Sequence, residues 1–193
     1  MQNLKVIRTF VAVPIDKEIR QRISEVQERV KKLTRNVKWV EPDNFHVTLK
    51  FLGNVPEDQV PQISAALDEV SSKVPAFALS VKGIGAFPKL ERARVVWIGI
   101  EEGREELIRL AREVEESLSR LRFEKENKPF KAHITIGRVK EGKPADGLAE
   151  GIREIDAGDL GRQNVSSVVL MRSELKPDGP VYSPLSMHGL EGH

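Results

Sequence analysis

The chain of 193 residues contains no cysteine. That removes disulfides, thiol nucleophiles and thiolate-bound zinc, and points to a reducing compartment. Aromatic residues are scarce at 5%, so most rings belong to the core. No apolar stretch approaches the ~20 residues that span a bilayer. The one early apolar run, Phe10 to Val13, is also too short for the core of a signal peptide, so a soluble, cytoplasmic protein is expected. Neither sign of charge dominates: 31 Lys and Arg stand against 29 Asp and Glu, a net charge of +2. Global polyelectrolyte attraction to nucleic acid is therefore excluded. A HExxH zinc pattern is absent, and so is the G-x-S-x-G elbow of many serine hydrolases. We expect no metal and no cofactor.

What is present describes a folded protein. Charged residues reach 31%, above the ~25% usual for globular domains, yet aliphatic residues are plentiful. This Glu-, Lys- and Arg-rich composition leans toward a thermophile. Val6 to Val13 reads as a strand. Asp16 can cap a helix with an apolar stripe at Ile19, Ile23, Val26, Val30 and Leu33. Val37 to Val40 is a short strand, and Pro42 and Asp43 mark a turn. A second helical stripe runs through Val60, Ile63, Leu67 and Val70, and a third through Leu107, Leu110, Val114, Leu118 and Leu121. Phe77 to Val81 and Arg94 to Ile100 read as strands joined by a Gly- and Pro-rich hairpin connection. A weaker helix around Leu148 to Ile155 precedes closing strands at Val165 to Met171 and Val181 to Met187, with a turn at Pro177 to Pro180 and a frayed tail from Gly189. Connections this short make antiparallel pairs. Antiparallel sheets with helices on their outer faces make an α+β fold, here one bilobal domain over residues 1–193.

Two stretches carry the chemical signal. Asn44 to Leu52 (NFHVTLKFL) alternates as a strand, with Phe45, Val47, Leu49 and Phe51 on one face and His46, Thr48 and Lys50 on the other. Ala132 to Ile136 (AHITI) repeats the frame with His133 and Thr135. Two of the four histidines thus sit in one His-x-Thr-aliphatic pattern. If the two strands flank a cleft, two imidazoles and two hydroxyls converge. Imidazole, with a free pKa of ~6.5, can work as base in one copy and acid in the other. The hydroxyls can donate to oxygens that gain charge. Lys50 shares the histidine face by parity. Arg138 would fall on the wrong face of a regular strand, and a bulge at Gly137 would turn it toward the site. The basic run Arg120 to Lys143 surrounds the second motif and suits a phosphate-bearing ligand, whereas Glu101 to Glu116 is acidic. His188 and His193 stand apart and read as incidental.

These motifs, with RTFVAV (8–13), KWVEPDNFHVTLKFLG (38–53), GAFPKLERARVVWIGI (85–100), KPFKAHITIGR (128–138) and SELKPDGPVY (173–182), resemble the two-histidine phosphoesterase superfamily. Within it they are similar to the RNA 2′,3′-cyclic phosphodiesterases, historically called 2′-5′ RNA ligases. The resemblance implies a pseudo-twofold, two-lobed α+β fold with both histidines in a central groove. It implies metal-independent hydrolysis of an RNA 2′,3′-cyclic phosphate end to a 2′-phosphate, with possible reverse 2′-5′ joining of RNA such as tRNA halves. By position it carries over His46, Thr48, His133, Thr135 and Arg138, while Gly137 departs from a pattern in which a larger apolar residue is common. His133 is assigned as base and His46 as acid. Phe130 and Tyr182 are candidate surfaces for base stacking, Lys128 and Lys131 for the RNA backbone, and a monomer is expected. Two rival readings stay open: a non-catalytic RNA-end binding module, and a phosphodiesterase for a small cyclic nucleotide or ADP-ribose 1″,2″-cyclic phosphate.

Overall fold

The computed structural model describes residues 5–177 and 179–192; Asp178 of the expected turn and His193 lie outside them. Among the described residues there are nine strands and four α-helices. In chain order they are β1 (Val6–Pro14), α1 (Lys17–Lys31), β2 (Val37–Trp39), β3 (His46–Pro56), α2 (Val60–Ser71), β4 (Phe77–Phe87) and β5 (Val95–Ile100). Then follow α3 (Arg104–Ser119), β6 (His133–Val139), α4 (Leu148–Glu154), β7 (Asp159–Val165), β8 (Ser167–Lys176) and β9 (Gly179–Gly189).

Two antiparallel sheets form, ordered β3-β1-β8-β9 and β2-β6-β5-β4-β7. Set side by side, β3, β1, β8 and β9 correspond to β6, β5, β4 and β7, with β2 as an extra edge strand. This is the pseudo-twofold expected of the repeated motif. The duplication is not one lobe per half of the chain, however. Each sheet draws strands from both halves, because β1 leads through α1 to β2 in the other sheet, and β7 of that sheet leads back to β8 and β9 of the first. Helices α2 and α3 pack on β8, β9 and β3 of the first sheet, while α1 packs on β7 of the second with α4 beside it. The apolar stripes do what their 3.6-residue period requires: Ile19, Ile23, Val26 and Val30 are buried, as are Ile63, Leu67 and Val70, and Leu107, Leu110, Val114 and Leu118. They join one continuous core between the layers.

The structure departs from several sequence expectations for identifiable reasons. Asp16 holds the N-cap position of α1 without a side-chain capping bond; its own N–H is taken by Gln163 Oε1 at 2.9 Å. Leu33 lies past the end of α1 and is exposed. Strand β4 runs through Gly85 to Phe87, so the hairpin connection is shorter than its glycines suggested. β7 went unread because its inward positions include a buried glutamine, Gln163, whose amide serves Pro14 O. The tail is not frayed through Gly192: Leu190 is buried, and the backbone N–H groups of Leu190, Glu191 and Gly192 bond to the carbonyls of Ser166, Ser71 and Val74. His188, read as incidental, is buried and ties β9 to α2 through Asp68 Oδ1 at 2.6 Å, with Ser186 Oγ at 2.8 Å from its other nitrogen.

Gly137 pairs with Trp39 of β2 and Val96 of β5. A Cβ there would lie 2.8 Å from both Trp39 Cε3 and Val37 Cγ1, so the indole of β2 fills the space that a larger residue would need. Gly137→Ala is expected to destabilise the fold by about 1–3 kcal/mol through overpacking. Gly189→Ala, where nothing lies within 4 Å of the added carbon, should stay within about 0.5 kcal/mol of the parent. Urea midpoints measure both, and equal midpoints would mean that Trp39 is not seated on Gly137.

Candidate active site

The two motif strands meet one cavity, lined by His46 and Thr48 from β3, His133, Thr135 and Arg138 from β6, and Tyr182 from β9. Both imidazoles are held alike. The Nδ1–H of His46 donates to Asn44 O at 2.7 Å, and that of His133 to Lys131 O at 2.6 Å, in each case the carbonyl two residues back. With a carbonyl fixing the tautomer, each ring turns Nε2 toward the groove. Thr48 Oγ lies 2.8 Å from His46 Nε2. Asn44 is itself fixed, donating from Nδ2 to Pro180 O at 2.9 Å, which fastens β9 and Tyr182 beside the first motif.

Which later residues reach the groove is decided by a slip in each ladder. Along β1 and β3, Pro14 faces His46, Ala12 faces Thr48, Val11 faces Lys50 and Phe10 faces Phe51. Leu49 is the unpaired extra residue of a bulge. Along β5 and β6, Gly99 faces His133, Trp97 faces Thr135, Val96 faces Gly137 and Val95 faces Arg138, and Ile136 is the extra residue. Both bulges fall three positions after their histidine. One extra residue inverts the alternation beyond it, so the next side chain on the histidine face is the fifth after each histidine: Arg138 in one motif and Phe51 in the other. The Ile136 carbonyl is held by Val40 N–H at 2.9 Å and by Nε2 of the buried Gln27 at 2.9 Å, which also donates to Val40 O.

The alternation read from the sequence therefore fails after Thr48. Phe51, assigned to the core face, is 53% exposed and lines the groove. Lys50, assigned to the histidine face, is 3% exposed; its ammonium pairs with Glu115 Oε1 of α3 at 2.5 Å and donates to Glu124 O at 2.7 Å. Its charge is committed to joining β3 to α3. Of the stacking candidates, Phe130 lines a neighbouring cavity. Tyr182 packs edge-on against His46 and Phe10, with centroids 5.4 and 4.9 Å away. Lys128 and Lys131 line the same cavity as Phe130, and Lys131 also sits 5.1 Å over the Phe87 ring. Part of the basic run is paired off against the acidic helix, Lys125 with Glu116 at 2.6 Å. Sequence reasoning missed Phe51, Gln27 and the aromatic packing around the histidines; the bulge expected at Gly137 lies one residue earlier, at Ile136, and Arg138 does line the groove, whereas no residue type marks the bulge at Leu49.

Burial sets the electrostatics. Phe10 stacks on His46 at 4.9 Å, and the edge of Phe87 meets His133 at 5.0 Å. Desolvation, only partly offset by the bond to Asn44 and reinforced by His133 and Arg138, pushes His46 down to about 4. His133 is lowered for the same first reason, with Arg138 and Lys131 adding to it. The groove thus favours two neutral imidazoles beside an exposed guanidinium, a setting that suits an anion. A cleft of about 600 Å³ between residues 90–94 and α4 is as large as any near the histidines but contains none of these groups, so size alone does not mark the site.

Two imidazoles presented from symmetry-related strands of a duplicated α+β fold, with an arginine lining the same cavity, define a two-histidine phosphoesterase. The chain belongs to the family described as LigT like phosphoesterase, whose model matches residues 13–97 and again 98–182, one motif in each stretch. An Archaeoglobus fulgidus protein named RNA 2′,3′-cyclic phosphodiesterase is 42% identical over 93% of this chain and 98% of its own. Among solved structures, a Thermus thermophilus protein superposes with a TM-score of 0.81 at 33% identity, covering 96% of this chain and 99% of that one. Escherichia coli LigT complexed with 3′-AMP gives 0.74 at 27% identity, covering 96% and 99%.

Two measurements check this description. In an NMR titration both ring protons should shift with midpoints below the free value of ~6.5, His46 near 4, and added inorganic phosphate should raise both midpoints. A His46 midpoint at or above the free value would mean that the ring is not desolvated. Separately, Glu115→Ala strands the buried Lys50 ammonium. Loss of one partner of a fully buried pair costs about 3–5 kcal/mol, and the loss here should fall somewhat below that, because Glu115 keeps 19% of its side-chain surface in water; an unchanged urea midpoint would show that Lys50 is not held as described.

Proposed function

We propose that this protein hydrolyses the 2′,3′-cyclic phosphate at an RNA end to a 2′-phosphate. The observation that carries the reading is the convergence of His46, His133 and Arg138 on one cavity, the set of groups that displacement at a phosphorus flanked by two ester oxygens requires. Three relatives named RNA 2′,3′-cyclic phosphodiesterase and the 3′-AMP with which LigT is complexed support it. We take the protein to be a cytoplasmic monomer acting on RNA ends such as those of tRNA halves.

In this mechanism His133 Nε2 takes a proton from a water as its oxygen attacks phosphorus in line with the 3′ oxygen. His46, carrying a proton on Nε2, gives it to that oxygen as the P–O3′ bond breaks. Arg138 and the hydroxyls of Thr48 and Thr135 bind the non-bridging oxygens, where charge grows. Lys50 has no part, since its charge is spent on Glu115. Depth of burial alone would make His46 the more readily neutral ring and so favour the opposite assignment. We weigh two other facts more heavily: His133 is the ring more open to incoming water, and an anionic phosphate between the rings raises the affinity of both for protons. With the 5′-hydroxyl of a second RNA attacking in place of water, the same groups would join RNA through a 2′-5′ bond.

Turnover of adenosine 2′,3′-cyclic phosphate in the presence of chelator tests the reaction. His46→Ala and His133→Ala should each lose about 10²- to 10⁴-fold in rate. A substrate with sulfur at the 3′ position, whose leaving group needs no acid, should rescue His46→Ala and not His133→Ala; the reverse pattern exchanges the two roles. Binding without product in the parent protein would leave only an RNA-end binding module.

A further inference from the structure

We infer that Gln27 is the positioning residue for Arg138: its buried amide holds the bulge of β6 in the geometry that aims the guanidinium at a phosphoryl group in the groove. This rests on the phosphodiesterase reading and adds to it a side chain that meets no substrate, on a helix that lines no part of the groove cavity.

Three observations point there. First, one amide pins two approaches to the site together. Gln27 is 0% exposed, and its Nε2 donates both hydrogens, to Ile136 O at 2.9 Å and to Val40 O at 2.8 Å. Ile136 is the extra residue of the β6 bulge, two positions before Arg138. Val40 lines the groove cavity and leads to the turn that precedes His46. Second, stability alone does not account for this glutamine. Ile136 O already accepts Val40 N–H at 2.9 Å, whereas Gln27 Oε1 is buried with no hydrogen-bond partner among the described residues. An unpaired buried acceptor costs stability, so what the side chain contributes is position. Third, the two motifs anchor their bulges by different means. The residue before the groove-facing position is Lys50 in the first motif and Gly137 in the second. Lys50 anchors its own strand by reaching Glu115 of α3. Gly137 has no side chain with which to do so, and a Cβ there would meet Trp39 and Val37; the anchor therefore comes from α1 to the backbone. Each helix that precedes one motif thus sends a polar side chain to the strand of the other. Arg138 is itself exposed, so its aim is set by the backbone beneath it and not by packing around it.

A misplacement of about 1 Å at a reacting group costs ~10²-fold in rate, so Gln27→Met, which keeps the length of the side chain and removes its donors, should lower kcat/KM for adenosine 2′,3′-cyclic phosphate by about 10- to 100-fold. The decisive comparison is the same substitution made on Arg138→Ala. A residue that acts through the guanidinium has nothing left to position there, so the double variant should turn over within about 2-fold of Arg138→Ala alone. Calorimetric titration with inorganic phosphate repeats the cycle without turnover: Gln27→Met and Arg138→Ala should each weaken binding, and the double variant should bind no more weakly than Arg138→Ala. Gln27→Asn, whose amide falls one methylene short of the two carbonyls, should follow Gln27→Met and serves in its place if the latter has no cooperative urea transition. Equal losses with and without Arg138 would show that Gln27 only supports the fold, and an unchanged kcat/KM and phosphate affinity in the single variant would show that the bulge holds without it. If the parent binds phosphate and turns over no cyclic nucleotide, the phosphodiesterase reading fails, while the phosphate cycle still decides the role of Gln27.

Discussion

A one-residue bulge in each motif strand is the constraint on which the rest of this structure turns. A strand presents every second side chain to one face, so a histidine and a threonine two residues apart come together without further help, but the next position would be Lys50 in one strand and Gly137 in the other. Insertion of Leu49 and of Ile136 into their ladders replaces that pair with Phe51 and Arg138. It also sends the Lys50 ammonium inward, where the Glu115 carboxylate of α3 and the Glu124 carbonyl make it tolerable. Burying a polar backbone at a bulge requires partners, and Gln27 supplies one by reaching from α1 to the carbonyl of Ile136. The covering helix is therefore part of what aims Arg138, although none of its residues lines the groove cavity.

The same arrangement explains the electrostatic character of the groove. Phe10, Tyr182 and Phe87 pack against the imidazoles, and the water they displace is what would otherwise stabilise an imidazolium. Arg138 acts in the same direction at longer range. An empty site with two neutral rings and one fixed cation has its largest affinity for an anion, and an anion is what returns protons to the rings. In the proposed reaction substrate charge and protonation of the rings are thereby linked, and the threonines Thr48 and Thr135 line the same cavity.

Duplication supplies the two halves of the chemistry, and departures from symmetry give it a direction. The sheets correspond strand for strand except for β2, which exists on one side only and whose Trp39 occupies the space over Gly137. The motif strand of the other sheet is an edge, and Phe51 beyond it stays in reach of solvent. A pair of interchangeable histidines is in this way set between unlike neighbours, a cation on one strand and a ring on the other.

Much of this protein could be read from local pattern. The helices followed from apolar residues at intervals of three and four, since a helix buries one stripe whatever it packs against, and the α+β class followed from short connections between strands. The recurrence of His-x-Thr picked out two pairs that the fold brings to one cavity, because residues two apart on a strand share a face by covalent geometry. A glycine marked the bulge of β6 to within one residue, but what the sequence by itself could not determine was the register of β3. Whether Phe51 or Lys50 faced the groove turned on an extra residue in the ladder with β1, and nothing in the residue types of β3 announces it. β7 was hidden because its buried Gln163 is satisfied by backbone from residues 14 and 16, a partnership that only the folded chain brings together. The crossing of each half into the sheet of the other, which places two motifs distant in sequence on one cavity, was likewise decided by tertiary packing: it depends on which surfaces cover α1 and α3, and the stripe on a helix records that it will be buried, not against what.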